Sequence, residues 1–319
     1  MSAATLKRAG FIAATAATAL WPRRSQAQSL ATLRVAMPGA VDDGAPLLYA
    51  MHSGAFKAAG IDVNLTLMKS GAAIASAVAG GALDIGLSSI VPLIGAHAHG
   101  IPFVFVAPAA IYSSRAPYAA LLVKKESPLK TPRDLNGKTL ASPALKDLIA
   151  TSNLAWIDQN GGNSTTVKIV ELPGSAVLAA LDDGRIDGGT LLEPRLSQAL
   201  ESGTVRVLGT PFDAYGKRFV ISSWFSTADY VRANTDLIRR FARVMRDANV
   251  YSNAHHAATA PLLAALAHVD VGTITRSTRV GYGDALNVKE LQNVVDVTAK
   301  YKVIDRSFDA AELISPAVR

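Results

Sequence analysis

Two stretches of the chain repeat one pattern of apolar and polar positions. Residues 71–86 read GAAIASAVAGGALDIG and residues 174–189 read GSAVLAALDDGRIDGG; superposed without a gap at an offset of 103, six of sixteen positions are identical. The identities are Gly71/Gly174, Ala73/Ala176, Ala77/Ala180, Gly81/Gly184, Asp84/Asp187 and Gly86/Gly189, with matched apolar pairs at Ile74/Val177, Val78/Leu181 and Leu83/Ile186. In each copy a Gly opens a segment with the helical period of apolar residues. A second Gly, 81 or 184, supplies the left-handed residue that ends the helix. An apolar–Asp–x–Gly step then enters a strand. Chance similarity between Ala-rich helices would explain the alanines but not the register of Gly and Asp.

The flanks extend the echo. Leu33–Pro38 and Thr139–Pro143 are short apolar strands running into Pro loops, and Ile61–Met68 and Thr166–Leu172 alternate as half-buried strands. Strands alternating with helices predict right-handed βαβ crossovers and a mainly parallel sheet in each half. The expected fold is therefore α/β and bilobed, with two mainly parallel sheets flanked by helices. Tyr118–Val123 and Phe219–Phe225, extended and apolar, are the segments expected to cross between lobes as a double-crossover hinge. The boundaries that follow are residues 28–120 with 222–319 for lobe one and 121–221 for lobe two. Helices are predicted over Asp236–Tyr251, Pro261–Ala267 and Val288–Tyr301, packing back on lobe one. Ligand is expected between the lobes, beyond the carboxyl ends of the strands.

Composition changes this picture in two places. The chain has 319 residues and a formal charge of +7, but Lys7, Arg8, Arg23 and Arg24 fall in residues 1–27, which hold no acid. The remainder carries 28 basic against 25 acidic groups, too mild a balance for a nucleic-acid surface. Lys7-Arg8, thirteen uncharged residues from Ala9 to Trp21, and the ending Ser25-Gln26-Ala27 form an export signal, with cleavage expected after Ala27 and the mature protein in the periplasm. Whether export is by the Sec or the Tat route stays open. Residues 85–114 contain no Asp, Glu, Lys or Arg, long enough to span a bilayer. Pro92, Pro102 and Pro108 break that stretch, so strand, short helix and strand of a soluble protein are predicted instead.

The residues at this point resemble the substrate-binding proteins of ABC importers for nitrate, sulfonates and taurine, a group that also includes binding proteins for thiamine-pyrimidine precursors. The matching stretches are GAFKAAGIDVNLTLMKSG (54–71), AVAGGALDIGLSS (77–89), SPLKTPRDLNGKTLA (127–141), LAALDDGRIDGGTLLEP (178–194) and the helix over 230–251. The resemblance implies a type II periplasmic-binding-protein fold and delivery of a small-molecule ligand to an ABC permease with its ATPase. The chain departs from the family at Leu192-Glu193-Pro194, where Trp-Glu-Pro is usual, and in carrying Asp42-Asp43 in the first loop.

Topology nominates the ligand contacts. Ser70, Gly71 and Ala72 start one repeated helix; Gly174 and Ser175 start the other. Ser88 and Ser89 end the strand after the Asp84 turn. Ser142 ends the first strand of lobe two, opposite Pro38 and Gly39. Trp224 stands beside a hinge, Glu193 braces the cleft wall, and Asp42 lies in the first loop. Two helix N-termini favour an organic anion such as a sulfonate, with Lys69 and Lys146 nearby; Asp42 and Asp43 oppose this if they face inward, and an amino-sulfonate would satisfy both signs.

No catalytic or metal constellation stands out: the six His lack metal-ligand spacing, no Ser sits in a Gly-x-Ser-x-Gly elbow, and the chain has no Cys. No cofactor is expected, and the protein is expected to be a monomer without nucleic-acid partners. Arg239, Arg243 and Arg246 read as a solvated helix face. The alternative function is an enzyme on the same fold acting on a pyrimidine or aromatic-acid-type substrate, and a sensory binding domain is a third class.

Overall fold

The computed structural model describes Met1, residues 30–39 and residues 41–319. The export signal expected over residues 1–27, Met1 apart, lies outside the described residues. Along the chain come β1 (Ala31–Pro38), α1 (Ala45–His52), α2 (Ala55–Ala58), β2 (Ile61–Met68), α3 (Gly71–Ala79), β3 (Ile85–Ser89), α4 (Ile90–Ala98) and β4 (Phe103–Pro108). A connecting strand, β5 (Ala110–Ser113), leads to β6 (Ala119–Lys124), β7 (Thr139–Ser142), α5 (Leu148–Gln159), β8 (Lys168–Glu171), α6 (Val177–Asp182), β9 (Gly188–Leu192), α7 (Arg195–Glu201) and β10 (Val205–Gly209). The chain returns through β11 (Arg218–Val220) to β12 (Ser222–Thr227). It closes with α8 (Ala228–Ala233), α9 (Thr235–Ala254), α10 (His256–Ala267), α11 (Val271–Arg276), β13 (Gly281–Tyr282) and α12 (Val288–Lys300).

The two halves build the same sheet. The first has the order β2-β1-β3-β12-β4 and the second, read in the matching direction, β8-β7-β9-β6-β10. In both, the first three strands are parallel and the fourth runs against them. That fourth strand is the one the chain makes just after crossing: β6 on the way out and β12 on the way back.

The echo in the sequence has a physical content. Asp84 accepts a hydrogen bond from the Arg34 backbone N–H at 2.7 Å while its own N–H donates to Arg34 O at 2.9 Å. Asp187 does the same in the second half, accepting from the Thr139 N–H at 2.9 Å and donating to Thr139 O at 2.8 Å. Each Asp thus stitches the turn before the third strand to the first strand, at its fourth residue in β1 and its first in β7. Gly81 and Gly184 have φ of +73° and +70°, the left-handed conformation expected of them. Gly86 and Gly189 are small for packing: a Cβ at Gly86 would enter Ile74 and Phe225, and one at Gly189 would enter Val177.

The crossing differs from the expectation in position. Tyr118–Val123 was expected to cross, but β6 lies wholly in the second sheet, and Ala119 and Ala120, expected in lobe one, already pair with Leu192 and Leu191. The crossing is made earlier, where β5 and β11 pair antiparallel with Phe219 opposite Tyr112, and β13 joins β5 on its other side. Both connections are extended, so they hydrogen-bond to each other, and at the entry to sheet one the Ala110 N–H of β5 donates to Ser222 Oγ of β12 at 3.1 Å. Around them Tyr112, Tyr118, Phe212, Tyr215 and Phe219 form a buried aromatic group with ring centroids 5.0–6.1 Å apart.

Residues 85–114 form strand, helix, strand and the connecting strand β5, and no helix among the described residues is long and apolar enough to cross a membrane. The amphipathic α9 buries Ile238, Phe241 and Met245 and leaves Arg239, Arg243 and Arg246 in solvent. It starts and ends close to the predicted bounds, whereas α10 begins five residues before Pro261 and carries it inside the helix.

Candidate ligand cleft

Strand direction fixes where a ligand site can form. In sheet one the carboxyl ends of β1, β2 and β3 deliver Pro38-Gly39, Ser70-Gly71 and Ser88-Ser89 to one edge, and antiparallel β12 brings its first residue, Ser222, to the same edge, opposite Ser89. In sheet two the same edge carries Ser142, Gly174 and Glu193 at the ends of β7, β8 and β9. Both edges adjoin the β5–β11 crossing. Grooves of about 300 Å³ beside α8 and α9, and about 360 Å³ beside β13, lie away from this cleft.

The first-lobe residues come together most closely around Ser88. Its side chain is 1% exposed, and its Oγ has no hydrogen-bond partner among the described residues. Gly71 lies directly against it: a Cβ at Gly71 would overlap Ser88 Oγ. Gly71 also opens α3, whose N-cap Ser70 accepts from the Ala73 N–H at 3.2 Å. That cap leaves the Gly71 and Ala72 N–H groups, which have no intrahelical acceptor, at the helix end. A buried hydroxyl with no partner beside two unbonded N–H groups is a ready acceptor site for an anionic oxygen. Ser89 is the N-cap of α4 but makes no capping bond; the N3 residue, Pro92, has no N–H to donate, and the Ile90 N–H goes to Ile221 O at 3.0 Å. Pro38 and Gly39 are partly exposed beside these loops, and Gly39 has φ of +57°.

The two aspartates of the first loop have different environments. Asp42, expected to meet ligand, is occupied by the protein: Arg279 Nη2 donates to its Oδ1 at 2.6 Å, the Tyr282 hydroxyl at 2.8 Å, and the Val280 N–H reaches Oδ2 at 3.0 Å. Its charge holds the loop to the segment before β13 and does not face the cleft unpaired. Asp43, the next residue, accepts a hydrogen bond from Ser222 Oγ at 2.5 Å and has no basic partner within ion-pair distance among the described residues. Burial pushes its carboxyl up to about 6, with the Ser222 hydrogen bond opposing and the charge of Asp42 adding to the rise. The Tyr118 phenol, buried at the entrance to β6, is pushed up by burial and then by the charges of Asp43 and Asp42.

The second lobe answers the expectations less closely. Ser142 Oγ donates to Asp147 Oδ1 at 2.7 Å, and that carboxylate also caps α5 through the Ala150 N–H at 2.7 Å. Ser142 is therefore committed to the helix cap rather than offered to a ligand. Burial pushes the Asp147 carboxyl up, against its hydrogen bonds. Gly174 and Ser175 do not begin an α-helix; Gly174–Ala176 is a 3₁₀ turn after Pro173, and α6 starts only at Val177. The proposed convergence of two equal helix N-termini is thus corrected to one full helix end, that of α3. Ser175 is exposed. Arg195, which sequence reasoning passed over, places its Cδ 3.7 Å from where a Gly174 Cβ would stand, and its guanidinium makes no hydrogen bond among the described residues. Glu193 is bound by Ser197, accepting from its N–H at 3.1 Å and its Oγ at 2.8 Å, a bracing role within its own lobe.

Trp224 is the clearest correction. It is 0% exposed, paired opposite Leu87 in the middle of sheet one, and packs edge-on against Phe241 of α9 at 6.0 Å. It is core, so it neither stacks on ligand nor lids the site. Lys69 and Lys146 are exposed beside the cleft loops.

Two α/β lobes with matching sheets, joined by paired crossing strands and facing each other with their carboxyl edges, define the periplasmic-binding-protein class of fold. The chain belongs to the NMT1/THI5-like family, whose model matches residues 42–258. It is 29% identical over 196 residues to the taurine-binding periplasmic protein of Escherichia coli (strain K12), covering 60% of this chain and 58% of that one, so it spans under two thirds of that relative's length. Its fold is similar to the crystal structure of the periplasmic aliphatic sulphonate binding protein from Escherichia coli, with a TM-score of 0.75 at 20% identity over 90% of this chain and 98% of that one. The alkanesulfonate-binding protein from Xanthomonas axonopodis pv. citri, bound to MOPS, is similar with a TM-score of 0.71 at 18% identity, covering 89% and 98%.

Proposed function

We propose that the protein captures a small organic anion, a sulfonate, between its lobes and hands it to an ABC importer permease with its ATPase, acting as a binding protein and not as an enzyme. The observation that carries this reading is Ser88: a buried, unpartnered hydroxyl held against Gly71 at the N-terminus of α3. An anionic oxygen there would accept from Ser88 and from the Gly71 and Ala72 N–H groups, with the positive end of the helix adding to the attraction. Arg195, across the cleft on lobe two, supplies a positive charge that reaches the ligand when the lobes close. The taurine-binding relative supports the choice of sulfonate over other anions. Among the nominated contacts, the reading keeps Ser70, Gly71, Ala72, Ser88, Ser89, Pro38, Gly39, Gly174 and Ser175 at the cleft. Lobe one is formed by residues up to the β5 connection together with those from β12 onward, and lobe two by those between, acting as a monomer. Export through the signal over residues 1–27 places the mature chain in the periplasm, where such a permease would meet it.

Isothermal titration with ethanesulfonate and longer alkanesulfonates tests the site. Losing a hydrogen bond to a charged group costs about 1.5–3 kcal/mol, so Ser88→Ala should weaken sulfonate binding by roughly 10- to 150-fold. If the unaltered protein binds sulfonates and Ser88→Ala binds them equally well, the site is elsewhere.

A further inference from the structure

The first loop of the cleft is fastened to the crossing at two points that differ in kind. At the first, Asp42 is held by Arg279, the Tyr282 hydroxyl and the Val280 N–H, and Tyr282 of β13 pairs with Ala110 of β5. That fastening carries its own counter-charge. At the second, Ser222 is 1% exposed; its hydroxyl donates to Asp43 at 2.5 Å while its Oγ accepts the Ala110 N–H at 3.1 Å. Backbone bonds meet at the same point, the Ala109 N–H donating to Ser222 O at 3.2 Å and the Ile221 N–H to Ala110 O at 2.9 Å. One hydroxyl thus joins the loop after β1 to the outgoing connection and to the start of the returning strand. It stands where the paired connections enter sheet one, opposite Ser89 at the cleft edge.

The second fastening depends on the charge of Asp43. With the carboxylate ionised, the Ser222 proton and the Ala110 N–H each have an acceptor, and the bond to Asp43 is charge-assisted. A proton on Asp43 adds a donor that the pair cannot absorb. If the acid donates to Ser222 Oγ, the Ser222 proton loses its acceptor; if Ser222 still donates, the acid proton has none within the pair. We propose that Ser222 is the positioning residue of the hinge: its hydroxyl pins the first loop to the connecting strands while Asp43 is ionised and frees it when Asp43 takes up a proton. Asp43 stays packed on Ser222 throughout and needs no contact with ligand. The pinned loop fixes the angle at which the two carboxyl edges face each other, and the freed loop lets the lobes turn more widely about β5 and β11. Burial lifts the Asp43 carboxyl to about 6, so the change falls between pH 8 and pH 5. The groups facing it are Asp42 on its own loop, Ser222 of β12 and the Tyr118 phenol before β6, with Arg279, Tyr282 and His256 reaching Asp42 from behind.

The test reads the lobe angle without ligand, so its outcome is separate from that of the sulfonate reading. Lys69 and Lys146 are exposed beside the cleft loops of the two lobes, and the chain has no Cys. Lys69→Cys with Lys146→Cys therefore places one spin label on each side of the cleft, and pulsed electron paramagnetic resonance gives the distribution of their separation. In this parent chain the distribution should be about 1.5 times as broad at pH 5 as at pH 8. Adding Ser222→Ala should make it as broad at pH 8 as the parent is at pH 5, with no further change on acidification. Asp43→Asn, neutral at both pH values, should behave in the same way. Titration of His256 would leave the pH response intact in Ser222→Ala, and that result overturns the proposal. A parent distribution equally narrow at both pH values, or an Asp43→Asn chain that is narrow at pH 8, overturns it as well. If Ser222→Ala fails to fold, the parent's pH response and Asp43→Asn decide the matter between them.

Discussion

Adjacent aspartates with opposite fates show how much of the first loop depends on partners far away in sequence. Asp42 and Arg279 are 237 residues apart, yet the guanidinium is 6% exposed and gives Asp42 two hydrogen bonds at 2.6 and 2.8 Å. Removing one member of a buried pair leaves the other unpaired, so Arg279→Met should cost about 3–5 kcal/mol in denaturant unfolding, and adding Asp42→Asn should return part of it. A double variant no more stable than the single would deny the coupling. Asp43 behaves in the other sense. Its folded carboxyl is raised from 3.8 to about 6, so the folded chain binds the proton more tightly than the unfolded chain does. The stability this confers is fully present below the unfolded value and is lost as pH rises through about 6. Asp43→Asn should therefore stabilise the unliganded protein at pH 8 by about 1–3 kcal/mol and change little at pH 3.5; equal effects at both pH values would contradict the assignment. None of this was legible in the sequence, where Asp42-Asp43 reads as one acidic pair. The sequence signal for Trp224 was equally blind, because an aromatic next to a crossing strand looks the same whether it faces ligand or core.

At the level of elements the repeat was legible because it records packing. Ile74 fits over Gly86 and Val177 over Gly189, and each Asp stitches its turn to the first strand, so the spacing of Gly, apolar residue and Asp is set by contact rather than ancestry alone. Gly189→Ala should cost about 1–3 kcal/mol by overpacking against Val177, and Val177→Ala in the same chain should recover some of that by making room. Additive losses would mean that the two side chains do not share the space. What the repeat concealed was the difference in helix entry: the second copy follows Pro173 and opens as a 3₁₀ turn, whereas the first follows Ser70, which caps a full α-helix. The fourth strand of each sheet was also hidden. β12 pairs with β3 and β4, laid down before the chain crosses out and back, and β6 pairs with β9 and β10 from the far end of lobe two; such long-range pairing leaves no mark in local periodicity.

For the whole molecule, the crossing is a braced pivot. Two connections pair through β5 and β11, and one continuous apolar cluster runs from Ala36 and Ile74 of lobe one through Tyr112 and Phe219 to Leu148, Phe212 and Tyr215. Helix α12 adds a strut, its following residue Tyr301 donating from its hydroxyl to Asp158 of α5 at 2.8 Å. Such an arrangement resists separation of the lobes but permits rotation about the paired strands. On the proposed reading, a ligand held at the N-terminus of α3 on one side and reached by Arg195 on the other gains contacts only when the edges approach. A saturating alkanesulfonate should therefore lower the radius of gyration in solution scattering. Trp224 emission should stay nearly constant, since that ring is sealed in the core of one lobe. Truncating the pivot should loosen this response: Phe212→Ala removes a fully buried ring at a cost of about 3–5 kcal/mol and should enlarge the unliganded protein in scattering. A saturating ligand that leaves the radius of gyration unchanged, in a chain shown by calorimetry to bind it, would establish a rigid, preformed cleft and remove closure from the mechanism.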